Sequence, residues 1–125
     1  MKKITVVVKR AGGEADVVCL KPRLETFQYL VEGNIEGITP TEYLSEHNIV
    51  IYCNDEGKFN GLLPNLFFSE IKDILYGTCI FVKGDDEGND ISMTQDEVKH
   101  VLELCAEKDV RRGILRVDVL KLFKS

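Results

Sequence analysis

The chain has only two histidines, His47 and His100, and its four cysteines include no Cys-x-x-Cys pair. Cys19, Cys53, Cys79 and Cys105 stand 34, 26 and 26 residues apart, and neither histidine is at ligand spacing from the other or from a cysteine. These spacings argue against a metal site and against the disulfide framework of a small secreted fold. Long apolar runs are missing too. None approaches the roughly 20 residues that span a bilayer, so no membrane partner is expected. The run at residues 4–8 is shorter than a signal-peptide core of roughly 7–15 residues, and no small-residue cleavage site follows it. There is no Gly-x-x-x-x-Gly-Lys phosphate loop. Ser45, Glu46 and His47 are adjacent, which is the wrong geometry for a triad on one turn. Glu32, Glu36, Asp55 and Glu56 carry no cue that burial raises a carboxyl pKa, so paired-carboxylate chemistry has no support. No catalytic residue, metal or cofactor is assigned, and the reading leans away from an enzyme.

A basic excess is also lacking. The net charge is −5, unevenly distributed: residues 1–23 carry six Lys/Arg against two acids, residues 24–98 three against fifteen, and residues 99–125 seven against four. No basic cluster is interleaved with stacking aromatics, so nucleic acid is not an expected partner.

What is present is the material of a soluble globular domain. The 125 residues fit a single domain, 1–125, with 44% hydrophobic and 30% charged residues. Each cysteine falls in or at the end of an apolar segment, which predicts buried, reduced thiols and a cytosolic location. Residues 3–9 and 15–20 read as two strands of a hairpin. After Pro22, a short helix places Leu24, Phe27, Leu30 and Val31 on one face, with Gly33 as its left-handed stop. Residues 34–38 read as a strand, and 39–48 as a loop or a single helical turn. A second hairpin is expected from 49–53 and 58–63, with Gly57 supplying a positive φ in its turn. Residues 66–76 lack clean periodicity and read as irregular or a short helix. Residues 78–83 read as a buried strand, followed by an acidic turn.

The strongest helix signal is Thr94-Gln95-Asp96-Glu97, a capping box flanked by Met93 and Val98 at staple positions. Val98, Val101, Leu102 and Cys105 then form a stripe to about residue 108. Residues 113–123 alternate apolar and charged positions and suggest a last strand. The fold class expected is α+β, a small domain of mostly antiparallel sheet with two or three helices.

The densest punctuation lies in residues 49–65, with Asn54, Gly61 and Asn65, and in the segment Asp73 to Thr78 around Gly77. Loops carried on strands are where binding groups usually sit. Asn54, Gly61, Asn65, Asp73 and Thr78 are therefore the candidate ligand-binding residues, for a small polar, nucleotide-like ligand. The same residues also suit a purely local role: Asn54 capping its own turn, Gly77 making a turn or bulge, Asp73 bonding nearby backbone. Asp85, Glu87 and Asn89 invite a calcium reading, but Asp90 stands where that loop requires Gly and Asp96 where it requires Glu.

One set of residues has a further meaning. Glu32-Gly33-Asn34-Ile35-Glu36, Cys53-Asn54-Asp55-Glu56-Gly57-Lys58, Gly61-Leu62 with Pro64-Asn65, Asp73-Ile74-Leu75-Tyr76-Gly77-Thr78, and Gly88 with Ser92-Met93-Thr94 together resemble the bacterial domain-of-unknown-function family 3846. The resemblance spans about residues 15–107 and leaves a basic extension over 108–125. It implies a small α+β protein of bacteria, their phages and conjugative elements, with no catalytic residues to carry over. The resulting expectation is a cytosolic, non-enzymatic binding or interaction module associated with mobile elements, whose partner is a protein or a small polar ligand. The alternative is a nucleotide-like ligand binder or enzyme using the 54–65 segment.

Overall fold

The computed structural model describes residues 1–112. Strands β1 (Ile4–Lys9) and β2 (Ala15–Leu20) form the predicted hairpin, running from Ile4 opposite Leu20 to Lys9 opposite Ala15. Helix α1 (Leu24–Val31) buries Phe27 and Val31. Its left-handed terminal residue is Glu32, with φ +64°, and not Gly33 as expected. Gly33 answers a different demand: a Cβ there would lie 2.6 Å from Asn54 Nδ2, so it keeps a channel open for that side chain.

Strand β3 (Ile35–Ile38) and the one-turn helix α2 (Glu42–Glu46) follow, the latter capped by Thr41, whose side chain accepts from Leu44 N–H. Strand β4 (Ile49–Asn54) forms where expected, but residues 58–63 do not pair with it. Both edges of β4 are already hydrogen-bonded, one to β3 and the other to β7 (Cys79–Gly84), so no edge is left for them. Residues 55–62 instead wind as turns, with Asn60 N–H donating to Glu56 O at 2.8 Å and Leu62 N–H to Gly57 O at 3.0 Å. Gly57 is not at positive φ, contrary to expectation; a Cβ on it would meet Tyr76 O at 2.9 Å.

The segment read as irregular, 66–76, is a hairpin of β5 (Pro64–Phe68) and β6 (Asp73–Tyr76). A register shift between Pro64 and Leu66 buries the consecutive residues Asn65 and Leu66, which breaks the two-residue period and hides the strand in the sequence. A short β8 (Asp90–Ile91) pairs with β7, and helix α3 (Gln95–Lys108) is followed, among the described residues, by a bridge of Asp109 to Leu66 and one further helical turn. The strand expected over 113–123 lies outside the described residues.

The main sheet has six antiparallel strands in the order β2-β1-β7-β4-β3, with β8 beside β7. With three helices described, the chain is a small α+β fold of mostly antiparallel sheet. Side chains alternate across the sheet and make two cores. On one face Val7, Ile51, Cys53, Cys79 and Phe81 pack with Leu44 of α2, Leu66, Phe68 and Leu75 of the β5–β6 hairpin, and Val101, Leu104 and Cys105 of α3. On the other, Val6, Val8, Ile80 and Val82 pack under Phe27 and Val31 of α1. No helix among the described residues is long and apolar enough to cross a membrane.

The capping box is formed. Thr94 Oγ1 accepts from Glu97 N–H at 3.2 Å, and Glu97 Oε1 accepts from Thr94 N–H at 2.8 Å. Met93 and Val98 enter the same core, as the staple requires. Val98 and Leu102 are only partly buried, and Leu104 replaces them in the innermost stripe. Thr94→Ala leaves one helix-end donor without its partner and should cost about 1 kcal/mol. An unchanged urea midpoint would show that the cap contributes nothing.

All four cysteines are free. Cys53, Cys79 and Cys105 are buried as expected, but Cys19, on the outermost strand of the described sheet, is exposed.

Candidate functional site

Asn54 ends β4 and turns its amide inward. Nδ2 donates to Val31 O at 3.1 Å and Glu32 O at 3.2 Å, two carbonyls at the end of α1 that have no helical donor. Oδ1 accepts from Glu56 N–H at 2.8 Å and from Asn60 Nδ2 at 3.3 Å. One side chain thus ties a helix end to the turn that follows β4.

Asn65 centres a second group of bonds, inside the core. It is fully buried, donates to Lys9 O at 2.7 Å and Gly77 O at 2.8 Å, and accepts from Lys9 Nζ at 2.9 Å. Lys9 is 1% exposed, and its ammonium also donates to Arg10 O at 3.0 Å and pairs with Asp109 Oδ2 at 3.0 Å. Arg111 completes the group. Its guanidinium reaches both Asp109 oxygens, and NH1 donates to Gly12 O at 2.7 Å. The hydrogen bonds from Arg111 hold the Asp109 carboxyl well below the usual carboxylate range, against the opposing effect of burial. These bonds lock the end of α3 to the tip of the β1–β2 hairpin.

Asn54 and Asp73 border a common cleft of about 170 Å³ between the 54–59 turn and β6, with Glu36 of β3 on its rim. Gly61, Asn65 and Thr78 do not line it. Gly61 takes φ +74° on the exposed turn, Asn65 lies in the core, and Thr78 is partly buried ahead of β7. Asp73 is exposed, with Oδ1 accepting from Ile74 N–H at 2.8 Å. The rim carries the carboxylates of Glu36, Asp55, Glu56 and Asp73 against the single cation Lys58, and beside them Phe59 is 89% exposed. A wider, open groove of about 550 Å³ lies at the opposite end of the sheet, bordered by residues 1–4, Pro22 and residues 88–92. In the acidic turn, Asp85 Oδ1 accepts from the backbone of Glu87 and Asn89, which closes the turn.

A second cluster escaped sequence reasoning altogether. Glu97, 3% exposed, receives Lys83 Nζ and His47 Nδ1, the latter at 2.8 Å, on one carboxylate oxygen. An ionised carboxylate only accepts, so His47 carries its hydrogen on Nδ1. Tyr43 stacks between His47 and His100, with ring centroids 4.0 Å and 3.5 Å away. The capping box signals only the local half of Glu97's role. Its partner His47 is 50 residues distant and carries no motif.

Burial opposes ionisation of Glu97, but hydrogen bonds from Lys83, the Thr94 backbone and His47 outweigh it and bring its pKa from 4.5 to about 2. A carboxyl depressed on folding stabilises the fold above its unfolded pKa, and that contribution disappears as pH falls through the folded value. Glu97 should therefore add to the loss of stability between pH 4.5 and about 2. Glu97→Gln should be less stable than wild type at neutral pH and show a flatter stability profile across that window, read by urea unfolding at each pH. Parallel profiles would disprove it.

The geometry thus defines a small antiparallel α+β domain with two asparagine-centred polar knots and an acid-rimmed cleft beside an exposed aromatic ring. The chain belongs to the family described as Domain of unknown function (DUF3846), whose model matches residues 1–106. The match includes β1 and its hairpin, so it begins earlier than the resemblance over 15–107. No curated protein and no solved structure matches the chain.

Proposed function

We propose that the protein is a non-enzymatic interaction module that receives a basic segment of a partner protein in the cleft between the 54–59 turn and β6. The observation that carries this reading is Phe59, 89% exposed on a turn that Asn54 pins in place, next to a rim of four carboxylates. An aromatic held out by a rigid turn is the type of anchor on which interfaces concentrate their energy. The size of the cleft favours a side chain over a metabolite: about 170 Å³ is below the roughly 300–1,000 Å³ of small-molecule sites. In this reading Asn54 shapes the site and Asp73 faces the ligand. A bacterial, mobile-element setting and a cytosolic location belong to the same proposal; three buried, free thiols support a reducing compartment.

The test is fluorescence anisotropy with labelled Lys/Arg-rich peptides that carry one central Leu or Phe. A subset should bind wild type and weaken with salt. Phe59→Ala and Asp73→Lys, both at exposed positions, should each weaken binding by about tenfold or more while melting as wild type does. No binding, or binding indifferent to both substitutions, refutes the proposal.

A further inference from the structure

The two edges of the six-stranded sheet are not equivalent. At one end β3 has only four residues and contains Gly37, features that weaken an edge as a pairing template. At the other end β2 has six residues in unbroken register with β1. Among the described residues β2 pairs with β1 alone, and none of them pairs with its outer row of backbone N–H and C=O groups. Its sequence, Ala-Asp-Val-Val-Cys-Leu, has no Lys, Pro or Gly to blunt it. Val17 is 50% exposed and Cys19 is exposed. Such a strand is a template for another strand.

The charges say which strand. Exposed Glu14 and Asp16 stand at the start of β2, and exposed Lys21 and Arg23 follow its end. Arg10 lies 3.7 Å from Asp16, and Arg111 3.8 Å from Glu14, in exposed pairs of little strength. Lys21 and Arg23 have no acidic partner among the described residues. Antiparallel pairing of β2 with itself sets the acidic start of each copy against the basic end of the other, twice. Parallel pairing would set like charges together. The edge is therefore complementary to itself.

We propose that two copies of this chain associate by antiparallel pairing of β2 with β2 about a two-fold axis near Val18, making one sheet continuous across the dimer. A two-fold axis perpendicular to the sheet keeps every side chain on its own face, so residues opposite one another must share a face. Centring on Val18 meets this condition. Val17, opposite Val7 on β1, and Cys19, opposite Thr5, lie on the α3 side, and Val17 then faces the partner's Cys19. The two exposed apolar residues of the strand thereby cover each other. This edge is at the far side of the sheet from the cleft, so the two proposals stand or fall separately.

Sedimentation velocity of the full chain over a concentration series should show a monomer–dimer equilibrium. Val17→Lys, at an exposed position, should abolish the dimer while the circular dichroism spectrum is retained. Two charge variants make the test specific. Glu14→Lys with Asp16→Lys, and Lys21→Glu with Arg23→Glu, should each be monomeric alone and form a heterodimer when mixed. A short bis-maleimide should join two wild-type chains through Cys19. The proposal is overturned by a monomer at every concentration or by a dimer indifferent to Val17→Lys and to the charge variants. A monomer whose β2 amides are nevertheless protected from hydrogen exchange also overturns it, because the edge would then be occupied by residues 113–125 of the same chain.

Discussion

Asp109→Ala is expected to destabilise the protein by about 3–5 kcal/mol, the largest effect of any single substitution considered. Asp109 is 8% exposed and, among the described residues, is the only carboxylate paired with Lys9, itself 1% exposed. Removing it leaves an ammonium in the core with two neutral acceptors, Arg10 O and Asn65 Oδ1. Much of the loss is the desolvation of that unpaired charge. Replacing both partners together, Lys9→Met with Asp109→Leu, should recover a large part of it. Urea unfolding of the single and double variants measures the difference. If the double variant is as unstable as Asp109→Ala, the pair is not what holds the end of α3 to the hairpin. Asp109 and Arg111 lie beyond the 106 residues matched by the family, so this prediction also tests whether the fold of this chain depends on residues outside the family's bounds.

Asn65→Ala should cost about 3 kcal/mol and Asn54→Ala about 2 kcal/mol, because each strands several buried polar groups at about 1–3 kcal/mol apiece. Asn65→Ala removes the donor to Lys9 O and to Gly77 O together with an acceptor of the Lys9 ammonium, all within the core. Asn54→Ala frees the last carbonyls of α1 and unties the turn that carries Phe59, but that turn borders solvent, which compensates in part. A shape-matched substitution, Asn→Leu, would not help at either position, since most of the partners are backbone groups that cannot be replaced. The two variants also separate structure from recognition. In a folded Asn65→Ala protein, peptide binding at the cleft should be unchanged, whereas Asn54→Ala should weaken it by letting Phe59 move. Normal melting of both variants would mean that neither knot supports the fold.

The elements read correctly from the sequence are those whose signals are local. The β1–β2 hairpin, α1 and α3 follow from apolar periodicity and from a capping box that closes within four residues. The misread elements depend on distant partners. Residues 58–63 were eligible as a strand until β3 and β7 took both edges of β4. The β5–β6 hairpin was masked by the bulge that buries Asn65 beside Leu66, an arrangement that pays only because Lys9 waits 56 residues away in the core. Gly33 and Gly57 are needed for a reason other than the left-handed φ expected of them: neither has a positive φ, and both make room for another segment. The candidate site was legible as a region and not as a set of roles, since an asparagine aimed at a ligand and one aimed at a carbonyl look alike in a string of letters.

The sequence by itself determined the fold class, the family, the principal helix with its cap, and the segments from which the acid-rimmed cleft is built. Each of these rests on residue pattern or on contacts a few positions apart. Only the tertiary structure decided that Asn54 and Asn65 face inward, that Glu97 joins His47 and Lys83, and that β2 has β1 as its one partner strand among the described residues. Those outcomes depend on which strands become neighbours and on groups 23, 50 and 56 residues apart finding one another. A buried polar atom takes whichever partner the packing brings within reach, and no local rule states which one that will be.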